Sequence, residues 1–283
     1  MKDTGDRGRR TLAMVSLILA GESVFVPPFH LGRYFKSSLL TTFQIDEFQL
    51  GQLGAVYGVI AMLCYFVGGP IADRFSPRKL LAISLAATGA GSLYMSTIPE
   101  FRGLYLLFAF WGASTILAFW APLIRATREW GGTDGQGRAF GILDGGRGLA
   151  AAVLAWFAAY VFAALVGGDV AASPIKELNA VKVLLYLYAT CCFVAATSAW
   201  FLVPDPHPES SEVVKGETTG SYSGVMKRIL TALRSPAVWL QAVVIIAAYS
   251  TFKMFDNYGL FSEDAYGLSP TESAKLVAYL SFL

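Results

Sequence analysis

The chain has 283 residues, of which 55% are hydrophobic and only 15% charged, and its net charge is +2. A water-soluble domain carries about 25% charged residues, so the deficit points to lipid as the solvent. No basic excess marks a nucleic-acid binder. Cys64, Cys191 and Cys192 all sit in apolar stretches with no CxxC pair, so they read as packing residues. His30 and His207 have no companions at metal-ligand spacing, and neither metal nor cofactor is expected.

A helix needs about 20 apolar residues to cross the hydrocarbon core. The first such run covers residues 12–31, is too long for a cleavable signal and has no small-residue cleavage site behind it. Glu22 lies halfway along it, followed closely by Pro27 and Pro28. The proline pair removes backbone hydrogen bonds and predicts a kink towards the outer end. A lone carboxylate at mid-depth is costly in lipid, and it marks either a proton carrier or a structural hydrogen bond to a neighbouring Ser or Tyr.

Further runs cover residues 50–70, 80–98, 103–124, 140–166 and 183–203. The connectors between them are 32–49, 73–79, 99–102, 125–138 and 167–182. Asp144 and Arg147 stand one turn apart on the fifth run, with Arg147 about 12 Å in from Ala139 at 1.5 Å per residue. Arg147 suits an anionic solute group, or else neutralises Asp144 or gates with Arg125. The glycine-rich stretch 131–137 has no Lys-Ser/Thr ending and no preceding strand, so it is a loop rather than a phosphate cradle.

Residues 204–235 form the one clear linker: three prolines, an acidic Ser-rich stretch, then a basic segment at 226–234 suited to a short amphipathic helix on the membrane surface. A seventh run covers 237–260 and holds the one-turn pair Lys253 and Asp256, a candidate for substrate or coupling work. An eighth opens near Thr271 and is cut off at Leu283. Its thirteen residues rise only about 20 Å, so the chain is expected to end inside that helix.

Lys and Arg in the loops set the orientation. Fourteen fall in the N-terminal tail and the connectors after helices two, four and six, against five in the alternate loops. The N-terminus is therefore expected inside.

Between helices two and three the chain reads Gly68-Gly69-Pro70-Ile71-Ala72-Asp73-Arg74-Phe75-Ser76-Pro77-Arg78-Lys79-Leu80. This segment resembles the cytoplasmic signature of the major facilitator superfamily: Gly, then Asp-Arg four residues on, then a basic pair. The resemblance assigns a gating signature to Gly69, Asp73, Arg74, Arg78 and Lys79. Gly69 suits close helix approach, Asp73 faces the positive end of another helix, and the basic residues pair with acids on nearby loops. Ser76-Pro77 stands where Gly is more usual and stiffens the turn. A second run, Trp120-Ala121-Pro122-Leu123-Ile124-Arg125, is similar to the close of helix four in the branch that carries organic phosphates and organic anions. That branch's phosphate carriers also place an Arg in helix one, and residues 23–30 have none.

The resemblance implies an all-α integral membrane protein: a six-helix transmembrane bundle of major facilitator type (1–203), a cytoplasmic linker (204–235), then a seventh helix and a truncated eighth (236–283). It implies a secondary transporter of a small anionic or polar organic solute, working by alternating access coupled to protons or counter-solute. The rival is a transporter-like sensor that signals through a partner protein. No HExxH, GxSxG or paired catalytic acids argue for an enzyme. Candidate substrate or proton-coupling residues are Glu22, Arg147, Lys253 and Asp256; Arg125 and Asp144 form a charge cluster of helices four and five; Tyr57, Trp111 and Trp120 are cavity-lining candidates. The implied partners are the lipid bilayer, a small-molecule solute and protons, with location in a bacterial inner membrane. Because such a site is shared between two halves, the chain by itself is expected not to transport, and to survive best as a homodimer.

Overall fold

A computed structural model describes residues 2–167, 174–205, 231 and 233–280. The regular structure among them is helical throughout. In chain order the helices are α1 (Lys2–Ser23), α2 (Val26–Tyr34), α3 (Lys36–Phe43), α4 (Glu47–Arg74), α5 (Pro77–Met95), α6 (Phe101–Leu117), α7 (Trp120–Gly131), α8 (Gln136–Val166) and α9 (Pro174–Leu202). These are followed by α10 (Pro236–Met254), a 3-10 turn (Phe255–Asn257), α11 (Tyr258–Tyr266) and α12 (Pro270–Leu280).

Among the described residues, four helical stretches are long and apolar enough to cross a membrane: α4, the α6–α7 run Phe101–Gly131, α8 and α9. A fifth is made if the bent pair α1 and α2 counts as one span. The bend is 59° and falls at Ser23–Val26, where the proline pair was expected to kink the first run. Pro27 and Pro28 cannot donate to the carbonyls of Ser23 and Val24, and their rings crowd those oxygens. The fourth predicted span is interrupted for two residues but carries on as one stretch, without the sharp bend of the first. Ala118 and Phe119 leave helical geometry because Pro122 cannot donate to Ala118 and crowds its carbonyl. Pro70, by contrast, sits inside α4 without interrupting it.

The third predicted span, α5, has 19 residues but is not among the strongly apolar ones. Its buried side mixes Leu81, Leu85 and Met95 with the small or polar residues Ser84, Thr88, Gly89, Gly91 and Ser92. Ser92 donates to the Leu185 carbonyl at 2.8 Å, Trp111 Nε1 donates to the Thr88 carbonyl at 3.2 Å, and Thr88 meets Ser114 at 3.1 Å. A helix wrapped by protein needs no lipid-facing apolar coat, and small residues let its neighbours α6 and α9 approach closely.

The start of α4 carries its expected cap. Asp46 and Gln49 form a reciprocal capping box there, at 2.7 and 3.0 Å. Residues 32–49, expected as a bare connector, contain the end of α2 and all of α3. The predicted seventh span at 237–260 is not one continuous α-helix: α10 ends at Met254 and a 3-10 turn follows before α11 begins. Much of the linker 204–235, with the basic surface helix expected at 226–234, lies outside the described residues.

The chain divides into two compact units. One holds residues up to Asp205 together with Gly259–Leu283; the other is Pro206–Tyr258. In the first unit a core of Leu17, Leu81, Leu85, Phe119, Leu123 and Leu143, all at most 1% exposed, lies between α1, α5, α7 and α8. Val24, from the break between α1 and α2, and Phe119, from that between α6 and α7, belong to this core, and Phe25 and Trp120 pack against it.

Candidate functional site at the two broken spans

The break between α1 and α2 presents Phe25, and the break between α6 and α7 presents Phe119 and Trp120. Phe25 packs edge-on against both, with ring centroids 6.4 Å from Phe119 and 6.0 Å from Trp120. The α8 residue Arg147 reaches this junction. Its guanidinium carbon lies 5.9 Å from the Phe25 ring centre and 5.7 Å from that of Trp120. Its stem runs against Gly21: a Cβ added there would lie 2.8 Å from Arg147 Cδ and 3.1 Å from Nε.

Arg147 pairs with Asp144 at 3.3 Å, but the Asp144 side chain is 67% exposed. An exposed one-turn pair contributes about 0.2–0.5 kcal/mol, while each cation–π contact contributes about 0.5–2 kcal/mol depending on its desolvation. The rings, more than Asp144, hold the guanidinium. The Nε of Arg147 is buried and makes no hydrogen bond among the described residues. A buried donor left unpaired costs about 1–3 kcal/mol, so Arg147 is not satisfied by its own neighbours.

Glu22, half-buried, follows Gly21 directly. Arg147 is the first charge that bears on it and Arg33 the second. Among the described residues its carboxylate makes no hydrogen bond or ion pair, so the structural alternative of a bond to Ser or Tyr is not found there. Further along α2, His30 Nδ1 shares a 2.8 Å hydrogen bond with the Tyr188 hydroxyl. Phe29 meets Tyr57 at 4.8 Å, and Tyr57 bonds Thr115 at 2.7 Å.

The other predicted residues are dispersed. Arg125 does not join Asp144: its Nη1 donates to the Ala72 carbonyl at 2.7 Å and its Nε to Glu129 at 2.9 Å. It thereby ties α7 to the end of α4, while Asp144 turns to Arg147. Lys253 and Asp256 bond each other within the unit Pro206–Tyr258. In the signature segment Asp73 and Arg74 are exposed, as is Lys79. Arg78 pairs with Asp205 at 2.6 Å, and Ser76 donates to the same carboxylate. Ser76 thus makes a contact that a glycine could not. The close approach expected at Gly69 falls one residue earlier. Gly68 lies against the Leu117 carbonyl, at 3.3 Å from an added Cβ, and Gly69 faces open space.

Sequence reasoning singled out Glu22 and Arg147 but missed Gly21 and Phe25 as their surroundings. One signal pointed to the aromatic pair: both Phe25 and Trp120 stand two residues before a helix-breaking proline.

Two proline-interrupted spans thus meet around one partly satisfied cation, and the model of the Major Facilitator Superfamily matches residues 11–283. The chain belongs to the Major Facilitator Superfamily. This member is 24% identical to Inner membrane protein YqcE of Escherichia coli (strain K12) over 221 residues, 78% of this chain and 49% of that protein. It is 24% identical to Inner membrane protein YihN of the same organism over 245 residues, 86% of this chain and 55% of that one. A shorter match, 30% identical over 99 residues, links 33% of the chain to 20% of the Probable hexose phosphate transport protein of Chlamydia trachomatis serovar D. The chain spans about half the length of the two Escherichia coli relatives.

Proposed function

We propose that this superfamily member serves a secondary transporter of the bacterial inner membrane that moves a small organic anion by alternating access. The observation that carries the reading is Arg147, which keeps donor capacity unspent where two broken spans meet. Irregular backbone at membrane depth is tolerated where it lines a cavity or is buried in protein, and transporters place substrate sites at such breaks. Glu22 is the proton-coupling group beside it, with counter-solute exchange as the other mode of coupling. The exposed Asp73 and Arg74, the Arg78–Asp205 pair and Lys79 are the gating turn. Lys253 and Asp256 are a second candidate charge pair for coupling. No catalytic role is assigned.

The test is counterflow in proteoliposomes made with the complete reading frame that contains this chain, with glucose 6-phosphate as the first probe and simple carboxylates as the second. Saturable flux of either anion that falls at least about tenfold in Arg147→Ala supports the reading. Flux insensitive to Arg147→Ala removes Arg147 from the site. Binding without flux identifies a sensor instead.

A further inference from the structure

Phe25, Trp120 and the Arg147 guanidinium stand at the corners of a nearly equilateral triangle, with sides of 5.9, 5.7 and 6.0 Å. Rings stacked on opposite faces of the cation would lie nearly twice as far apart. They therefore flank it on one side, side by side, and form a notch. Gly21 closes the notch below, because only a residue without a side chain leaves room for Arg147 Cδ and Nε. Asp144 engages a single nitrogen, Nη1.

From this geometry we propose that Phe25 and Trp120 are positioning residues which, seated over Gly21, hold the Arg147 guanidinium in one orientation and leave its outer edge for the oxygens of an anionic solute. The proposal rests on the reading of Arg147 as the solute contact. It also explains the Trp-x-Pro-x-x-Arg run, because Pro122 breaks the helix and the break turns Trp120 towards α8. A guanidinium held by rings presents its in-plane N–H fork, which suits two oxygens of a carboxylate or phosphate equally. The rings hold the cation without supplying an anion that would compete for it.

The experiment reads the cradle without transport. Phenylglyoxal condenses with accessible guanidinium groups, and its rate at Arg147 is followed by peptide mass spectrometry on the chain in membranes. Phe25→Leu and Trp120→Leu are expected to raise that rate about fivefold, while Phe25→Tyr and Trp120→Phe, which keep a ring, restore it. Arg10, held apart by Trp130, is the reference and stays unchanged. An Arg147 rate unaltered in both leucine variants overturns the proposal. If Arg10 also becomes reactive in them, the fold has loosened, and Phe25→Met decides under the same criterion. A second arm measures counterflow with glucose 6-phosphate and the carboxylate probes. The leucine variants should raise KM about tenfold with kcat changed less than about twofold, and the ring-keeping variants should recover it. Ring-dependent labelling in a protein whose flux ignores Arg147 upholds the cradle and overturns the transport reading.

Discussion

Arg147 and Glu22 stand out in the sequence as candidates because ionisable groups are rare and expensive inside a bilayer, about 2.5–3.5 kcal/mol each by insertion scales. Their surroundings were harder to read: the proline two residues on hints at Phe25 and Trp120, but nothing among 28 glycines marks Gly21 as special. Only the folded chain brings Gly21 beneath Arg147. Gly21→Ala puts a methyl 2.8 Å from Arg147 Cδ, and overpacking of this kind costs about 1–3 kcal/mol. The far end of an arginine is flexible, so the expected result is a displaced guanidinium with a modest loss of thermal stability and at least about a fivefold loss of anion counterflow. Wild-type flux in Gly21→Ala shows that the close fit is irrelevant to function. Glu22→Gln keeps the shape of the side chain and removes its charge and titration. It is expected to lower proton-driven uptake more than it lowers the amount of protein in the membrane, and to flatten the dependence of uptake on external pH. Unaltered uptake and pH dependence take Glu22 out of the coupling.

At the scale of elements, proline position separates the helices that break from the one that does not. The Pro27-Pro28 pair and Pro122 each coincide with a break, while Pro70 lies in the last turns of a continuous α4. The kink in the first span was readable from the doubled proline. The break in the fourth was not, since a single proline in an apolar run often leaves only a bend. The bent first and broken fourth spans meet through Phe25 and Trp120, and that contact is tertiary information. Pro122→Ala restores a donor for the Ala118 carbonyl and removes the ring that crowds it. The expected outcome is a more continuous α6–α7 run with a melting temperature raised by a few degrees, because a helix hydrogen bond has been restored. Transport is expected to fall, since Trp120 no longer turns towards Arg147. A variant that melts higher and transports as well as wild type would show that the break serves no purpose. The predicted seventh run is helical over Pro236–Met254, and the 3-10 turn that follows at Phe255–Asn257 was not readable because no proline or glycine lies within it.

For the whole molecule, composition alone identified a membrane protein, and the Asp73-Arg74 turn indicated its superfamily. Both come from local sequence: charge is scarce wherever lipid is the solvent, and the signature is contiguous. Orientation rests on a distributed property, the fourteen basic residues on one set of loops against five on the other. Basic residues close to the ends of short apolar runs are retained on the cytoplasmic side, and three of the four contributing regions flank such runs directly. We therefore expect the N-terminus, the turn after α4, the loop after α7 and the connector 204–235 to share the cytoplasmic face. Single cysteines at Ser211 and at Arg102 test this, with Cys64, Cys191 and Cys192 replaced by alanine beforehand. A membrane-impermeant maleimide added to intact cells should label position 102, in the first turn of α6, and leave position 211 unlabelled until the membrane is permeabilised. The two positions control for each other, since a leaky membrane labels both and a buried site labels neither before or after permeabilisation. Efficient labelling of Ser211→Cys from outside, with Arg102→Cys protected, would invert the topology. The Arg78–Asp205 pair would then stand on the outer face, and the signature turn could not be a cytoplasmic gate.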